Sequence, residues 1–506
     1  MGLDSVDHVV VLMLENRSFD HMLGNLYAAQ GNKSPLGQDF DGLTGSESNP
    51  DGNGNQVPVF EITSQALNPY WMPLCNPGEG YQKTNQQLFG TDPAAPPPQP
   101  PVATNQGFVE NFATAIQTAT QPGHQHPWPG AQPASVMGMH TPQTLPVLSA
   151  LAKGFAVCDR WFASAPTETI PNRAFALAAT SQGHLTDDHN NIYTCPSIYG
   201  ALTHKGVGWR IYGYTKAPLT QMDFPDTLSA PPENFAHFAD FQQQAATGTL
   251  PSFSFLEPDW GKNGNSQHPA YNVAAGEAFI RDVYRACRDG RDWDSTLLII
   301  TYDEHGGCYD HVPPPQGAAP PDAGPAAADG FGFDFRRFGV RVPTVLVSPL
   351  IAAGTVYRAP EGGPPHDHTS LLATVEKRWG IGHLTQRDAA APDVGSVLTL
   401  GQPRTDDPLA GVQPPAVVPV TTAAGAVIHL DNAPSHIQEV YASRAARLPI
   451  PATAAVMPAE AVNTLATSAQ TTDFTQSRLE AWNNLKTGAA AGRPGVPSPG
   501  PAGGSG

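Results

Sequence analysis

Three short stretches of this chain are dominated by β-branched and other apolar residues: Val9–Leu14, Thr296–Tyr302 ("TLLIITY") and Val342–Val347 ("VPTVLV"). Runs of that length without polar alternation predict strands buried on both faces. Between them the apolar period lengthens to that of a helix. "PNRAFALAAT", from Pro171, starts with the residue that suits a first helical turn. Ala275–Cys287 sets Phe279, Val283 and Cys287 on one face, and Leu371, Val375 and Trp379 stand four apart before Gly380, a natural C-cap. Buried strands separated by helices predict an α/β fold, a mostly parallel sheet sandwiched between helices. The proline-rich stretches Asp92–Thr104 and Pro313–Gly330 read as long surface loops. Beyond Gly401 the pattern weakens, with one late helix expected around Phe474–Leu485 and Phe474 and Trp482 on its apolar side. The expected division is a core over residues 1–400, an extension packed on it over 401–488, and a disordered Gly/Pro/Ala tail over 489–506.

Charge narrows the partners. With 45 acidic against 27 basic residues the chain carries about −18, which argues against nucleic acid and anionic membranes and leaves a zwitterionic lipid surface open. No apolar run approaches the roughly 18–20 residues of a membrane span. Val9–Leu14 is too short for a signal peptide, so the chain is expected to be cytoplasmic, exported by a signal-independent route, or shorn of a leader. Five cysteines without CxxC spacing predict no disulfide framework and no zinc knuckle.

In open α/β sheets ligands collect beyond the carboxyl ends of the strands. The first strand ends in Glu15 and Asn16, the second in Asp303, Glu304 and His305, the third in Ser348 and Pro349. Three carboxylates and an amide meeting at one edge repel one another unless a cation sits among them. In "SAPTETIPNR" (164–173) a hydroxyl stands at a predicted helix N-terminus, where free N–H groups and the dipole favour a phosphate. Thr167 or Thr169 would then be a nucleophile activated by a metal. Of 17 histidines, His124, His126, His268, His305, His311, His366 and His368 stand among loop residues, placed to contact phosphate oxygens or protonate a leaving alcohol.

"ENRSFDHMLG", "TIPNR", "FSFLEPD", "HP", "TYDEHGGCYDHVPPP", "GVRVPTVLVSP" and "DHTSLLATVEKRWG" occur in this order. Together they resemble the bacterial phosphoesterase family of phospholipases C and acid phosphatase A, within the alkaline phosphatase superfamily. The resemblance spans roughly Asp4 to Gly380 and implies an alkaline-phosphatase-like core. It implies Thr169, two residues before Pro-Asn-Arg, as nucleophile, giving a phosphothreonine intermediate. It implies one divalent metal held by Glu15, Asn16, Thr169, Asp303 and Glu304, with Ca²⁺, Mg²⁺ or Mn²⁺ favoured by hard oxygen donors and Zn²⁺ kept open by nearby histidines. Asn16, His268 and His124 would contact the substrate, with His126 the rival of His124; His268 and His124 would also serve catalysis. A further family histidine falls on His184, His189, His204 or His237, and His368 reads as structural. The implied activity is phospholipase C action on phosphatidylcholine-type lipids. The alternatives are a broad acid phosphatase and, from another class, a non-catalytic metal-binding module. A sulfatase would require Cys or Ser where Thr169 stands.

Overall fold

A computed structural model describes residues 2–121, 126–214, 218–321, 329–430, 432–450 and 454–491. Eight strands form its central sheet: β1 (His8–Leu14), β2 (Ala156–Cys158), β3 (Trp209–Gly213), β4 (Phe235–His237), β5 (Phe253–Leu256), β6 (Thr296–Tyr302), β7 (Thr344–Val347) and β8 (Thr355–Val356). Their spatial order is β8-β2-β7-β6-β1-β5-β3-β4. Every residue of β6, and of β1 from Val9 on, is buried, so both faces of the sheet centre are covered, as the uninterrupted apolar runs require.

Neighbours pair in parallel except where β7 lies between β6 and β2. That exception corrects one expectation. After β6 the chain makes a long excursion at the carboxyl edge and re-enters from that same edge, so β7 runs backwards. Val347 pairs with Leu298 near the start of β6, and Ser348 and Pro349 leave at the opposite edge. An apolar run specifies burial and not direction.

The register of β1 on β6 runs from His8↔Thr296 to Leu14↔Tyr302. Glu15 and Asp303 therefore leave the sheet side by side. β2 also points to this edge, and the chain beyond it reaches helix α1 (Thr169–Ala178). Helix α2 (Val273–Arg288) packs against β1 and β6, and α3 (Thr369–Trp379) packs against α1. Gly380 closes α3 in the left-handed conformation at φ 62°, as a C-cap glycine does.

The late helix is longer than its apolar pattern indicates, Ser468–Ala491. Phe474 is fully buried against Ala442, Ala445 and Leu479, with Trp482 packed beside them. Helix α4 (His436–Ala446) inserts Ile437, Val440 and Tyr441 into the main core. All five cysteines are free thiols. Among the described residues no helix is long and apolar enough to cross a membrane.

Candidate active site

The "TIPNR" segment is built to present one hydroxyl. Helix α1 begins at Thr169, and Pro171 lies in its first turn, where no N–H is required. Asn172 binds the preceding loop: its Oδ1 accepts from Ala165 N at 3.0 Å and its Nδ2 donates to the carbonyls of Ala165, Thr167 and Glu168 at 3.1–3.2 Å. Arg173 turns inward. Its Nε donates to Asp303 Oδ2 at 2.9 Å, its Nη2 to the carbonyls of Met13 and Leu14, and its guanidinium lies 4.5 Å from the Trp260 ring centre. One tripeptide thus sets the helix start, the loop and the link to both central strands.

Thr169 Oγ1 donates to Asn16 Oδ1 at 3.0 Å. Asn16 holds φ 56°, a left-handed conformation uncommon outside glycine, and its N–H donates to Asp303 Oδ1 at 2.9 Å. Gly306 makes room for this turn, since a Cβ there would stand 2.2 Å from Asn16 O. Thr167 is also buried, but its hydroxyl donates to Leu185 O, away from Asn16.

Glu15, Asp303 and Glu304 are at most 2 % exposed. Burial pushes all three carboxyls above their usual range; Asp303 adds to the rise at Glu15, and Glu79 and Asp303 add to it at Glu304. Sequence reasoning missed three neighbours in this field. Glu168 accepts from Asp187 N at 2.6 Å, and Asp187 caps α1 by accepting from Ile170 N at 2.7 Å. Desolvation, with charge from Asp187 and Glu79, raises Glu168 to about 8; desolvation, with charge from Glu79 and Asp303, raises Asp187 to about 8. Glu79 reaches the site from the "NPGEGY" loop and stands 3.4 Å from His268 Nε2. Neither Glu79 nor Asp187 follows a strand, so no periodicity marks them.

These residues fit a metal ion. Glu15 Oε1 and Glu304 Oε1 are buried without a hydrogen-bond partner, and the donors around them are oxygens. Asp303 is held in place at this edge: its Oδ2 accepts from Arg173 and its Oδ1 from the N–H groups of Asn16 and Glu304. The tightest groupings of ligand-type side chains among the described residues lie elsewhere, at Asp20, Asp310 and His311 and at Glu376, His383 and Asp388. Arg341 occupies the first of these.

The site opens into a cleft of about 820 Å³ that Glu15, Thr169, Asp187, His126 and His268 line. His268 Nδ1 stands 3.1 Å from Pro269 O, and its ring is 5.0 Å from that of Tyr271. His124 lies outside the described residues. His368 is structural: fully buried behind the site, it places Nε2 2.6 Å from Asp303 O. His305 binds Gln87, His311 binds Asp20, and His366 stacks between Trp161 and Tyr357. His184, His189, His204 and His237 do not line the cleft. His436, which no motif flagged, does.

The phosphoesterase family model matches residues 6–382. Non-specific phospholipase C6 of Arabidopsis thaliana is 37% identical over 422 residues, covering 79% of this chain and 74% of that protein. Phospholipase C A of Mycobacterium tuberculosis is 27% identical over 467 residues, covering 81% and 82%. A solved protein of the alkaline phosphatase superfamily from Vibrio parahaemolyticus superposes with a TM-score of 0.29 at 13% identity, over 51% of this chain and 66% of that one. The family match takes in the strand ends, the Thr169 helix and the buried carboxylates alike: the chain belongs to the phosphoesterase family and is a phosphoric ester hydrolase.

Proposed function

We propose that the protein is a phospholipase C that cleaves phosphatidylcholine-type lipids through a phosphothreonine at Thr169. The observation that carries this reading is a hydroxyl at a helix N-terminus, 3.0 Å from an amide and beside buried, incompletely partnered carboxylates. The helix N-terminus favours an incoming phosphate. Glu15, Asn16, Thr169 and Glu304, with Asp303 anchored behind them, would hold one divalent cation; oxygen donors favour Ca²⁺, Mg²⁺ or Mn²⁺. Bound there, such a cation lowers the pKa of the hydroxyl and offsets phosphoryl charge.

Thr169 Oγ1 forms a bond to phosphorus in line with the bond that breaks, and diacylglycerol leaves. Asn16 orients the hydroxyl, and His268, steadied by Glu79, contacts a phosphoryl oxygen. Water then attacks phosphorus from the side the alcohol vacated and frees Thr169. A cleft of about 820 Å³ suits a head group with its glycerol attachment. Glu79 and Glu439 in its lining suit a phosphodiester with a cationic head group. Relatives named non-specific phospholipase C support a phospholipid substrate.

The test is turnover of paired diester and monoester substrates with each metal, before and after chelation. Phosphorylcholine diesters are expected to be hydrolysed at least about tenfold faster than p-nitrophenyl phosphate, and chelation to abolish both activities. Glu15→Ala and Asp303→Ala are expected to lose metal and activity together. Faster monoester hydrolysis would identify an acid phosphatase, and full activity after chelation would remove the cation from the site.

A further inference from the structure

The cleft has a wall from outside the matched family region. Residues 6–382 carry the family match, yet Pro434, Ser435, His436 and Glu439 line the same cleft as Glu15 and Thr169. This wall is firmly docked. Ser435 Oγ donates to Trp260 O at 2.6 Å and accepts from Gln438 N at 3.3 Å, capping α4. Tyr441 Oη and Arg444 Nη1 donate to Asp223 Oδ1 at 2.8 and 2.6 Å, and Ile437 is buried in the main core. Trp260, which accepts from Ser435, also stacks on Arg173. His436 is therefore held by its neighbours while its own side chain is exposed in the cleft. It lies within electrostatic reach of Glu168, the residue next to Thr169.

The chemistry leaves a role open. An alkoxide leaves phosphorus with difficulty unless it receives a proton. None of the histidines between Thr169 and His268 lines the cleft: His184 faces Asp329 at 3.5 Å, His189 faces Asp188 at 3.6 Å, His204 ends a helix and His237 caps another. His268 is engaged by Glu79, which leaves His126, in a loop, and His436, at the docked start of α4, as the cleft histidines able to supply a proton.

We propose that His436, supplied by the C-terminal extension, is the proton donor to the departing alcohol. This rests on the phosphothreonine reading above. Thr169 Oγ1 enters as the alkoxide that a bound cation would favour, its proton given up to solvent beforehand. As its bond to phosphorus forms, the phosphorus–alcohol bond breaks with its electron pair going to the alcohol oxygen, and Thr169 is released as the same alkoxide in the second step. The His436 imidazolium gives that oxygen its proton and becomes neutral imidazole. In the second step a water oxygen bonds to phosphorus, the Thr169 Oγ1–phosphorus bond breaks, and imidazole takes the proton the water loses. The ring ends as it began.

The experiment compares His436→Gln with the parent, as full chains, on four substrates: alkyl and p-nitrophenyl esters of phosphorylcholine, and alkyl and p-nitrophenyl phosphate. A p-nitrophenolate leaves without a proton, so the variant is expected to lose about 10²–10⁴-fold in kcat on alkyl esters and at most roughly threefold on p-nitrophenyl esters. His436→Gly is expected to regain alkyl turnover when imidazole is added. Both variants keep the Ser435 cap and are expected to unfold at the parent's temperature. Equal losses on alkyl and p-nitrophenyl esters, unchanged alkyl turnover, or no rescue by imidazole would overturn the proposal. The diester-to-monoester ratio judges the phospholipase reading separately, and residual turnover in Thr169→Ala judges the phosphothreonine.

Discussion

Two buried arginines stand among carboxylates from distant parts of the chain, and they pair with them differently. Arg341 lies between Asp20 and Asp310 at 2.8 and 2.9 Å, and it also donates to the carbonyls of Asp41 and Asp159. Burial raises the Asp20 carboxyl, but Arg341 and His311 outweigh it and leave that group below its usual range. Desolvation, with charge from Asp20, keeps Asp310 raised to about 6 despite Arg341. Arg173 has one carboxylate partner, Asp303, while Glu15, Glu304, Glu168 and Asp187 crowd nearby with raised pKa values. The first cluster is balanced by its own protein groups. The second is left with more negative charge than its arginine offsets and with buried oxygens that have no partner. A balanced buried cluster fixes a fold, whereas an unbalanced one waits for a ligand.

The sharpest way to separate the clusters is at the nucleophile. Thr169→Ala is expected to lower turnover by about 10⁴-fold or more while costing about 0.5–2 kcal/mol of stability at most. Thr167→Ala, whose hydroxyl serves only a loop carbonyl, is expected to stay active. Acid quench and peptide mapping check this directly: phosphate on Thr167 would move the site.

Next comes His268, which belongs to the unbalanced cluster through Glu79. His268→Ala is expected to fold and bind metal yet lose about 10²–10⁴-fold in rate. Turnover within a few-fold of the parent, at unchanged metal content, would remove it from the chemistry.

On the balanced side the expected loss is one of folding. Arg341→Ala leaves Asp310 buried without a cationic partner and Asp20 with His311 alone, at a cost of roughly 3–5 kcal/mol. Glu15→Gln removes one of several crowded carboxylates, so the metal-free protein is expected to be as stable as the parent or more so. Chemical denaturation of the two variants compares them; a large loss in Glu15→Gln would show that both clusters are structural.

The smallest effect concerns a buried acid remote from both clusters. Glu277 caps a helix by accepting from Val147 N and Leu148 N at 2.7 and 2.9 Å, and desolvation pushes it up to about 7. The native state therefore holds this proton more tightly than the unfolded chain, where the usual value is 4.5. Its contribution favours folding below about pH 4.5 and is lost as pH rises through about 7, on the order of 3 kcal/mol. Urea midpoints across that range are expected to fall with pH, and less steeply in Glu277→Gln.

Much of the site was legible in the chain because strand ends in a parallel sheet carry function. Val9–Leu14 and Thr296–Tyr302 had to be buried strands, so Glu15, Asn16, Asp303 and Glu304 had to emerge at their ends; parallel pairing put them at one edge. Pro171 placed the helix start, and with it Thr169. These are local consequences of period, burial and backbone geometry.

What the chain could not reveal depends on contacts between segments far apart in sequence. Burial in an apolar run has no direction, so only the return path of the chain made β7 antiparallel and sent Ser348 away from the site. Only folding delivered Arg173 and two backbone N–H groups to the oxygens of Asp303. Glu79, Asp187 and His436 sit in loops and at a helix start with no periodic signal, and loop residues acquire their neighbours only when the loops close over the sheet edge. Sequence thus determined which chemistry the strands deliver, and tertiary structure decided which charges were left unpaired there, because charge balance is a sum over neighbours that only the folded chain assembles.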